Sequence, residues 1–519
     1  MKNQTPTYGN DVEAQMPQGP EMPQQTRLPM RWRRPMRRVA QDVIPSWLTK
    51  RAIVTYILAL GVVTIMYRTY CLPWYYILSG VVSVLVFFIY GSNVAKRTSV
   101  VQMHSERSFE KRIFLIAFIP RILWTLLIYK LFMEHYGDSF GFENADALYY
   151  HDLGVFVNDL IAQANYHFYD EISHWSGHED MADMGYGVYV GFIYWLTGNS
   201  IIVVRLLKCA WSSLTVMLVY RLTKRNFGDQ TARMAAIFCA LWPNFWYYCG
   251  CHLKEVEMVF LAVLFVEQTD QMLRSRQFTA WKVIPVLMVA ATMLTFRTPL
   301  AIVALLALIF SVVMSSSRVV KWGKRIVVGS LAILLIGVTM GNRIREQASE
   351  MVSLVQSGNQ QSSIDEKTKS EHGNVLAKYA GSAVFAPLIF SVPFPTMVRP
   401  YDGQEVQQLL NGGNTIKNMM SFFVIFALIM LLVTNNWRNH LLPLSFMIGY
   451  LVVLTMSSFA HSERFHQPVM PFEMMFVAYG LGIVLTNKRY QRWFTYWCVL
   501  MFVAAIAWNW FKLAGRGLV

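Results

Sequence analysis

Apolar stretches decide the fold of this chain, and IFLIAFIPRILWTLLIYKLFM at residues 113–133 shows their character. An α-helix of about 20 mostly apolar residues crosses the hydrocarbon core of a bilayer, so this stretch predicts a membrane span. The sequence FGFENADALYY, residues 140–150, follows it within a region, 131–204, that contains no Lys or Arg. Cytoplasmic loops of membrane proteins carry an excess of Lys and Arg. We therefore expect this region to lie on the other side of the membrane.

The composition of the whole chain points to the same class. Of the 519 residues, 55% are hydrophobic and 15% are charged, whereas soluble domains average about 25% charged residues. The alternating segments of about ten residues that mark membrane β-barrels are not seen. We predict an all-α polytopic membrane protein, a bundle of about 11–13 transmembrane helices with two large extracytoplasmic loops that carry surface helices.

The excess of positive charge is interpreted as a topology signal. The chain has 46 Lys and Arg against 31 Asp and Glu, and the excess lies in short loops between apolar stretches. This distribution follows the positive-inside rule, so we predict membrane lipids and no nucleic acid as partners. The six cysteines lie mostly in or near apolar stretches and imply no disulfide framework. The first apolar run begins near Ile53, so we expect no cleavable signal peptide.

Charge and hydropathy divide the chain into regions with different expected roles. The N-terminus is expected in the cytoplasm, because basic loops alternate with the apolar stretches from there onward. A proline-rich apolar run late in the chain would not form a regular crossing helix, so we predict an interfacial or re-entrant segment there. The regions are a disordered basic cytoplasmic tail (1–45), two additional transmembrane helices with a cytoplasmic loop (46–112), a central membrane module (113–340) that includes outer loop 134–198, a second outer loop with the proline-rich segment (341–415) and C-terminal transmembrane helices (416–519).

Asp146 is the acidic residue whose position suggests chemistry. It follows the span at 113–133 directly, in the sequence ENADALYY, residues 143–150. A carboxylate at the membrane surface can act as a general base toward an acceptor hydroxyl, and partly apolar surroundings would raise its pKa toward the range that a base needs. The alternative is that Asp146 caps a helix or is simply solvated, since Asp is common at helix starts.

Basic residues at the expected outer ends of spans form a second set of candidates. A charge at or in the membrane is costly and suggests function by default, and several cations from separate spans would suit a phosphate or diphosphate group. For any single residue the alternative is snorkelling to lipid phosphates. Glu255 follows Lys254 directly and is either a second catalytic carboxylate or the ion-pair partner of Lys254 or Arg297. The cationic candidates are Lys254, Arg297 and Arg464, with His461 and His466 nearby.

Aromatic and histidine residues of the first outer loop leave further alternatives open. Tyr149 and Tyr150 could stack on a sugar ring, or could belong to an aromatic belt at the membrane surface. His174 and His178 have a spacing that can bind metal from one helical face, but Gly177 lies between them. We therefore predict no metal site and no required cofactor, while a divalent cation remains possible.

The order of the motifs resembles the GT-C glycosyltransferases, and most closely the bacterial membrane proteins similar to protein mannosyltransferases. The resemblance covers roughly residues 113 to 486, with the first two spans and the basic tail as additions. No single motif is specific, and the likeness lies in their order and in their placement at outer span ends. The motifs are the acidic DAxxY at 146–150, the surface segment 185–197, GNSIIVVRLLKCAWSSLTVMLVYRLTKRNFGDQTARMAAIFCALWPNFWYYCGCHLKE at 198–255, TFRTP at 295–299, FSVPFP at 390–395 and ERFHQPVMPF at 463–472.

This resemblance implies an activity and residue roles. Members of such families transfer a sugar from a polyprenyl-phosphate donor to an acceptor outside the cytoplasm, here a glycan, lipid or protein of a bacterial cell envelope. The role of catalytic base would fall to Asp146, with Glu143 as the fallback, and the lipid phosphate would be held by the three cations named above. The family often has an acidic pair at this position, whereas this chain has Ala145 and Ala147 on either side of Asp146.

Two other functions share parts of this pattern. A polymerase or ligase of lipid-linked polysaccharides would have the same large outer loops and arginines. A transporter or flippase would line a translocation path with its charges, but the chain shows no internal repeat of the kind that many transporters carry. The inverting transfer of a hexose or pentose from a polyprenyl-phosphate donor is the function that we predict, in a multi-pass protein of the bacterial inner membrane with a periplasmic active site.

Overall fold

The structure is a computed structural model, and it describes residues 44–99, 105–164, 167–176, 184–275, 280–316, 388–399, 405–456, 462–514 and 518. In that part of the chain the regular elements are helices, and the β contact is an isolated bridge between Cys71 and Val398. The protein is an all-α polytopic membrane protein, as its composition predicts.

The described helices follow one another with short connections. A π-helical turn, Val86–Tyr90, joins the second helix to the third. The helices are α1 (Ser46–Met66), α2 (Trp74–Leu85), α3 (Gly91–Arg97), α4 (Glu106–Tyr136), α5 (Asn144–Ala162), α6 (Phe168–Ser176), α7 (Met184–Thr197), α8 (Ile201–Phe227), α9 (Asp229–Ala240), α10 (Pro243–Cys249), α11 (Glu255–Arg274), α12 (Ala280–Phe296), α13 (Thr298–Met314), α14 (Glu405–Leu409), α15 (Asn411–Val433), α16 (Leu441–Met456), α17 (Glu463–His466), α18 (Met470–Val484) and α19 (Lys488–Ala514).

Seven helical stretches of the described residues are long and apolar enough to cross a membrane. Three shorter apolar helices, α12, α13 and α16, add to them. The span predicted at 325–340 lies outside the described residues, so the total of about 11–13 crossings stays a prediction. The seven stretches are Ser46–Met66, Trp74–Arg97, Glu106–Tyr136, Ile201–Phe227, Asn411–Val433, Glu463–Val484 and Lys488–Ala514.

The span predicted at 231–249 is broken into two helices, α9 and α10. Pro243 begins α10, and a proline inside a helix removes a backbone hydrogen bond and clashes with the preceding turn. Arg121, which is 0% exposed, donates to the carbonyls of Cys239 at 3.1 Å and Ala240 at 3.0 Å. It also donates to Ser212 Oγ at 2.9 Å. The buried guanidinium thus supplies hydrogen bonds to the carbonyls that the break leaves without helical partners.

Residues 388–399 of the second outer loop form an irregular segment buried against the bundle, whereas its described residues from 405 onward belong largely to α14 and α15. Lys417 Nζ donates to the carbonyl of Val392 at 2.6 Å, and Asn509 Nδ2 donates to that of Pro395 at 3.1 Å. Backbone without regular structure is tolerated within membrane proteins only where protein or water satisfies its polar groups. The residues from 400 to 404 and from 317 to 387, which hold most of this predicted loop, lie outside the described residues.

One end of the bundle carries a network of ion pairs. Arg225 contacts Glu267 at 2.7 Å and Asp270 at 3.0 Å, and Arg274 contacts Asp270 at 2.8 Å. His440 closes the network, with Nδ1 at 3.1 Å from Asn226 Oδ1. Apart from His440, which precedes α16, these residues lie at the C-terminal ends of α8 and α11, so the first turns of those two helices lie at the opposite end.

Candidate functional site

Arg464 joins two carboxylates that come from distant parts of the chain. Its Nη1 donates to Asp146 Oδ2 and its Nε donates to Glu255 Oε1. The pairs are separated by 318 and 209 residues in sequence. The structure therefore brings together three of the residues that the sequence singles out, in an arrangement with two negative charges and one positive charge.

The three residues differ in their exposure to solvent. The side chain of Asp146 is 54% exposed, that of Arg464 is 12% exposed and that of Glu255 is 1% exposed. A buried charge needs compensation, and Glu255 obtains it from the arginine. Asp146 is thus the member of this group that an incoming molecule can reach, while Glu255 fixes the arginine from below.

The turn before α5 places Asp146 at its position. Asp138 accepts the backbone N–H groups of Phe140 at 2.7 Å and Gly141 at 3.3 Å. Gly137 ends α4 with φ 75°, a backbone conformation that glycine adopts without steric cost. Asp146 then lies in the first turn of α5, where a carboxylate is favoured by the helix dipole. Asp146 therefore does lie at the start of a helix, as one of the two interpretations of the sequence has it. It also forms an ion pair with Arg464.

Helix α8 positions both acids through two buried cations. Arg205 Nη2 donates to the carbonyl of Ser139 at 2.6 Å, in the turn before Asp146. Lys208 Nζ donates to the carbonyl of Leu253, in the turn before Glu255. Both cations are 0% exposed. Neither cation is among the site residues predicted from the sequence, although a charge within an apolar span suggests function and residues three apart share a helix face.

His252 lies in the same turn as Leu253 and is fully buried. Burial holds the pKa of His252 well below its usual range, and the nearby charges of Lys208 and Arg205 lower it further. The imidazole is therefore neutral at physiological pH. The centre of its ring lies 6.3 Å from that of Tyr194 and 6.1 Å from that of His151. The turn before Glu255 therefore packs on aromatic side chains.

Arg297 lies beside the group formed by Asp146, Glu255 and Arg464. The Cζ atom of Arg297 is 4.4 Å from the centre of the Phe465 ring, and that of Arg464 is 6.0 Å from the same ring centre. Tyr450 donates to the carbonyl of Phe465 at 3.0 Å. Among the described residues Arg297 makes no ion pair, so its charge is not neutralised by a neighbouring carboxylate there.

Lys254 and Tyr150 lie below the surface of this site, whereas Tyr149 is half-buried. Lys254 is 3% exposed, and its Nζ is 5.4 Å from the centre of the Tyr150 ring. Tyr150 is 5% exposed and packs on Tyr186 with ring centres 5.0 Å apart. Tyr149 is half-buried, 5.7 Å from the ring of Trp175. Sugar contact is therefore open to Tyr149 and not to the buried ring of Tyr150.

Of the other predicted site residues, His466 is described and is not brought to this surface. His466 is 1% exposed, and its Nδ1 is 2.8 Å from Lys417 Nζ in the interior of the bundle. His461 and the side chain of Glu143 lie outside the described residues. Among those that are described, no group of three or more His, Cys, Asp or Glu could hold a metal ion, and His178 also lies beyond them.

One comparison with known proteins finds a match. The model of the dolichyl-phosphate-mannose-protein mannosyltransferase family matches residues 187–340. The matched stretch holds Lys254, Glu255 and Arg297, whereas Asp146 and Arg464 lie on either side of it. No curated protein and no solved structure gives a significant match. The resemblance that the motifs indicate is confirmed over this stretch, and it supports a membrane glycosyltransferase of the GT-C type that uses a lipid-linked donor.

Proposed function

We propose that this protein is an inverting glycosyltransferase that moves a hexose or pentose from a polyprenyl-phosphate donor to a hydroxyl of an extracytoplasmic acceptor. The acceptor is a glycan, a lipid or a protein of the bacterial cell envelope. One observation carries the proposal: an exposed carboxylate, Asp146, is fixed by Arg464, and Arg297, which pairs with no carboxylate among the described residues, stacks on the same Phe465 ring.

Asp146 acts as the general base. Its Oδ2 accepts from Arg464, and in the described part of the chain its Oδ1 has no hydrogen-bond partner. The acceptor hydroxyl donates to Oδ1 and transfers its proton as the new bond forms, a step in which a positioned base contributes about 10²–10⁴-fold. Glu255 stays with the arginine, because a carboxylate that is 1% exposed is out of reach of an acceptor.

Arg297 binds the phosphate of the donor. The charge of Arg464 is already balanced by two carboxylates, whereas Arg297 pairs with no carboxylate in the part of the chain that the structure describes. Arg297 also precedes the first turn of α13, and the N-terminal end of a helix favours anions. Lys254 supports the same site from beneath Tyr150. Preorganised cations of this kind stabilise the charge that develops on a leaving group.

The reaction is a single displacement. The acceptor oxygen attacks the anomeric carbon from the face opposite the phosphate, and the bond from that carbon to the phosphate oxygen breaks. The polyprenyl phosphate leaves with the bonding electron pair and is held by Arg297, while Asp146 takes the proton of the acceptor hydroxyl. The configuration at the anomeric carbon is inverted. The chemistry needs no covalent intermediate on the protein.

The distribution of charge supports an orientation with this site on the extracytoplasmic side. The region 131–204, which includes Asp146, contains no Lys or Arg. The opposite end of α8 carries Arg221, Lys224 and Arg225, as the positive-inside rule expects of a cytoplasmic end. We place the N-terminus in the cytoplasm and the protein in the bacterial inner membrane.

Sugar transfer in membranes that contain the Asp146→Asn variant tests the proposal. We expect a loss of about 100-fold or more relative to the unaltered protein, because the amide cannot take a proton. Asp159→Asn is the matched control, since Asp159 is an exposed acid on the same helix. Transfer by Asp146→Asn at the rate of this control would exclude Asp146 as the base.

A further inference from the structure

A cavity of about 760 Å³ lies between α7, α8, α11 and α12. Glu257 is part of its wall, whereas Glu255 faces Arg464. Residues two positions apart on a helix point to nearly opposite sides, so α11 separates the cavity from the site described above. The remaining wall is almost wholly apolar, and its larger members are Met184, Val188, Tyr189, Trp211, Phe260 and Phe296.

Glu257 is an ionisable group in this apolar wall, and its environment leaves one oxygen without compensation. The residue is 4% exposed. Lys208 Nζ lies 3.3 Å from Oε2 and also donates to the carbonyl of Leu253. Among the described residues neither Oε1 nor Oε2 has a hydrogen-bond partner, and the ion pair with Lys208 is made by Oε2. A buried carboxylate oxygen without a donor is costly, so a donor from a bound molecule would complete its environment.

We propose that this cavity binds one single-chain lipid alcohol, with the chain against the apolar wall and the hydroxyl donating to Glu257 Oε1. The volume lies within the range of about 300–1,000 Å³ that is usual for small-molecule sites. The protein spans a membrane, so lipid chains surround it. Ala291 and Thr292, which also line the cavity, are exposed on the surface of α12, and they give such a chain a lateral way in.

Charge selects the head group of this ligand. A phosphate or carboxylate head would meet the carboxylate of Glu257, and the nearby cation Lys208 is already engaged by Glu257 and Leu253. Like charges in contact are repelled, so an anionic lipid is disfavoured, and the polyprenyl phosphate of the proposed reaction belongs to the other side of α11. A methyl ester has no donor for Oε1. The site therefore differs from the donor site, and it does not depend on the proposed sugar transfer.

Native mass spectrometry of the full chain in detergent tests this site with three probes that share one chain. The probes are oleyl alcohol, methyl oleate and oleate. We expect one oleyl alcohol per protein, with an affinity about tenfold or more above that of either other probe, because only the alcohol satisfies Oε1 without adding a charge. Equal affinities for oleyl alcohol and methyl oleate would overturn the assignment of Glu257 as the recognition group.

Two variants separate the cavity from the head-group contact. Ala291→Phe fills the opening without touching Glu257 or Lys208, and we expect it to weaken binding of oleyl alcohol about tenfold or more, because the bound chain would overlap the new ring. Leu306→Phe is its control, since Leu306 is 54% exposed on α13 and does not line the cavity. Unchanged binding by Ala291→Phe would place the lipid elsewhere and overturn the proposal.

Glu257→Gln keeps the shape and an acceptor oxygen but removes the charge. We expect it to retain oleyl alcohol within about threefold while the disadvantage of oleate shrinks to about threefold or less, since the repulsion is gone. A preference against oleate that persists in this variant would contradict the role of charge. If the variant does not fold, Ala291→Phe decides the question alone. None of these measurements reads sugar transfer, so either proposal can fail without the other.

Discussion

Glu255 and Arg464 form an ion pair in which the carboxylate is 1% exposed and the guanidinium 12% exposed. The pair links the first residue of α11 to the short helix α17, and so fixes the arginine that contacts Asp146. Its position below the surface, with Asp146 above it, suggests that Glu255 orients the site without touching the substrate.

Glu255→Gln should reduce sugar transfer about tenfold, because Arg464 loses the charge that holds it and then draws closer to Asp146. We expect a smaller loss than for Asp146→Asn, and a fall in kcat with little change in the KM for the donor. Kinetics of transfer in membranes measure both. Glu110→Gln, which removes an ion pair with Arg221 at the other end of α8, is the control and should stay within about twofold.

Arg297→Ala should raise the KM for the lipid-linked donor and lower kcat/KM by about 100-fold, because a charge-assisted contact to phosphate is lost. Arg297→Lys should recover part of this loss, since lysine keeps the charge but not the planar fork. Titration of the donor in the transfer assay gives these values. Arg438→Ala removes an arginine that stacks on Trp437 at 5.2 Å far from the site, and a loss of similar size in this control would refute the assignment.

Arg121→Met should destabilise the protein by about 3–5 kcal/mol, because the buried carbonyl of Cys239 loses its donor and that of Ala240 keeps only the Trp246 indole N–H. The melting temperature of the purified protein measures this change. Arg121→Lys keeps one donor group, so its melting temperature should lie between that of the unaltered protein and that of Arg121→Met. A melting temperature equal to that of the unaltered protein would show that the break is satisfied without the guanidinium.

His440 predicts a loss of stability in mild acid. Burial, with a smaller effect of Arg274, lowers the pKa of His440 from 6.5 to about 4. Since the native pKa is below the unfolded value, the unfolded chain binds the proton first. The stabilisation is complete above about pH 6.5 and is lost as the pH falls toward about 4, with a total of about 3 kcal/mol. Melting temperatures across this range should fall less steeply for His440→Gln.

The sequence predicts the class and most helices of this protein, because long apolar stretches between basic loops have few other solutions. It does not predict the break after Ala240, since apolar residues continue on both sides and only Pro243 signals it. The break between α9 and α10 depends on a distant hydrogen-bond donor, Arg121. The packing of α4, and not the local sequence, places this donor at the break.

The candidate site is partly visible in the sequence. Charges in apolar surroundings mark Asp146, Glu255 and Arg464, but nothing local says that residues 209 and 318 positions apart form one group. The expectation that a charge in apolar surroundings suggests function applies equally to Arg205 and Lys208, which are not among the predicted site residues. It also marked His466, which the packing turns toward Lys417 in the interior.

The hydrogen bonds of Arg121 set an order for the insertion of this chain into the membrane. Two of its partners, the carbonyls of Cys239 and Ala240, are made 118 and 119 residues later. Until then α4 carries an arginine near its middle, which costs about 2.5–3.5 kcal/mol during insertion. We therefore expect α4 to stay beside the translocation machinery, or at the edge of the bilayer, until α8 and α9 have emerged. On this expectation α4, α8 and α9 enter the bilayer together rather than one helix at a time.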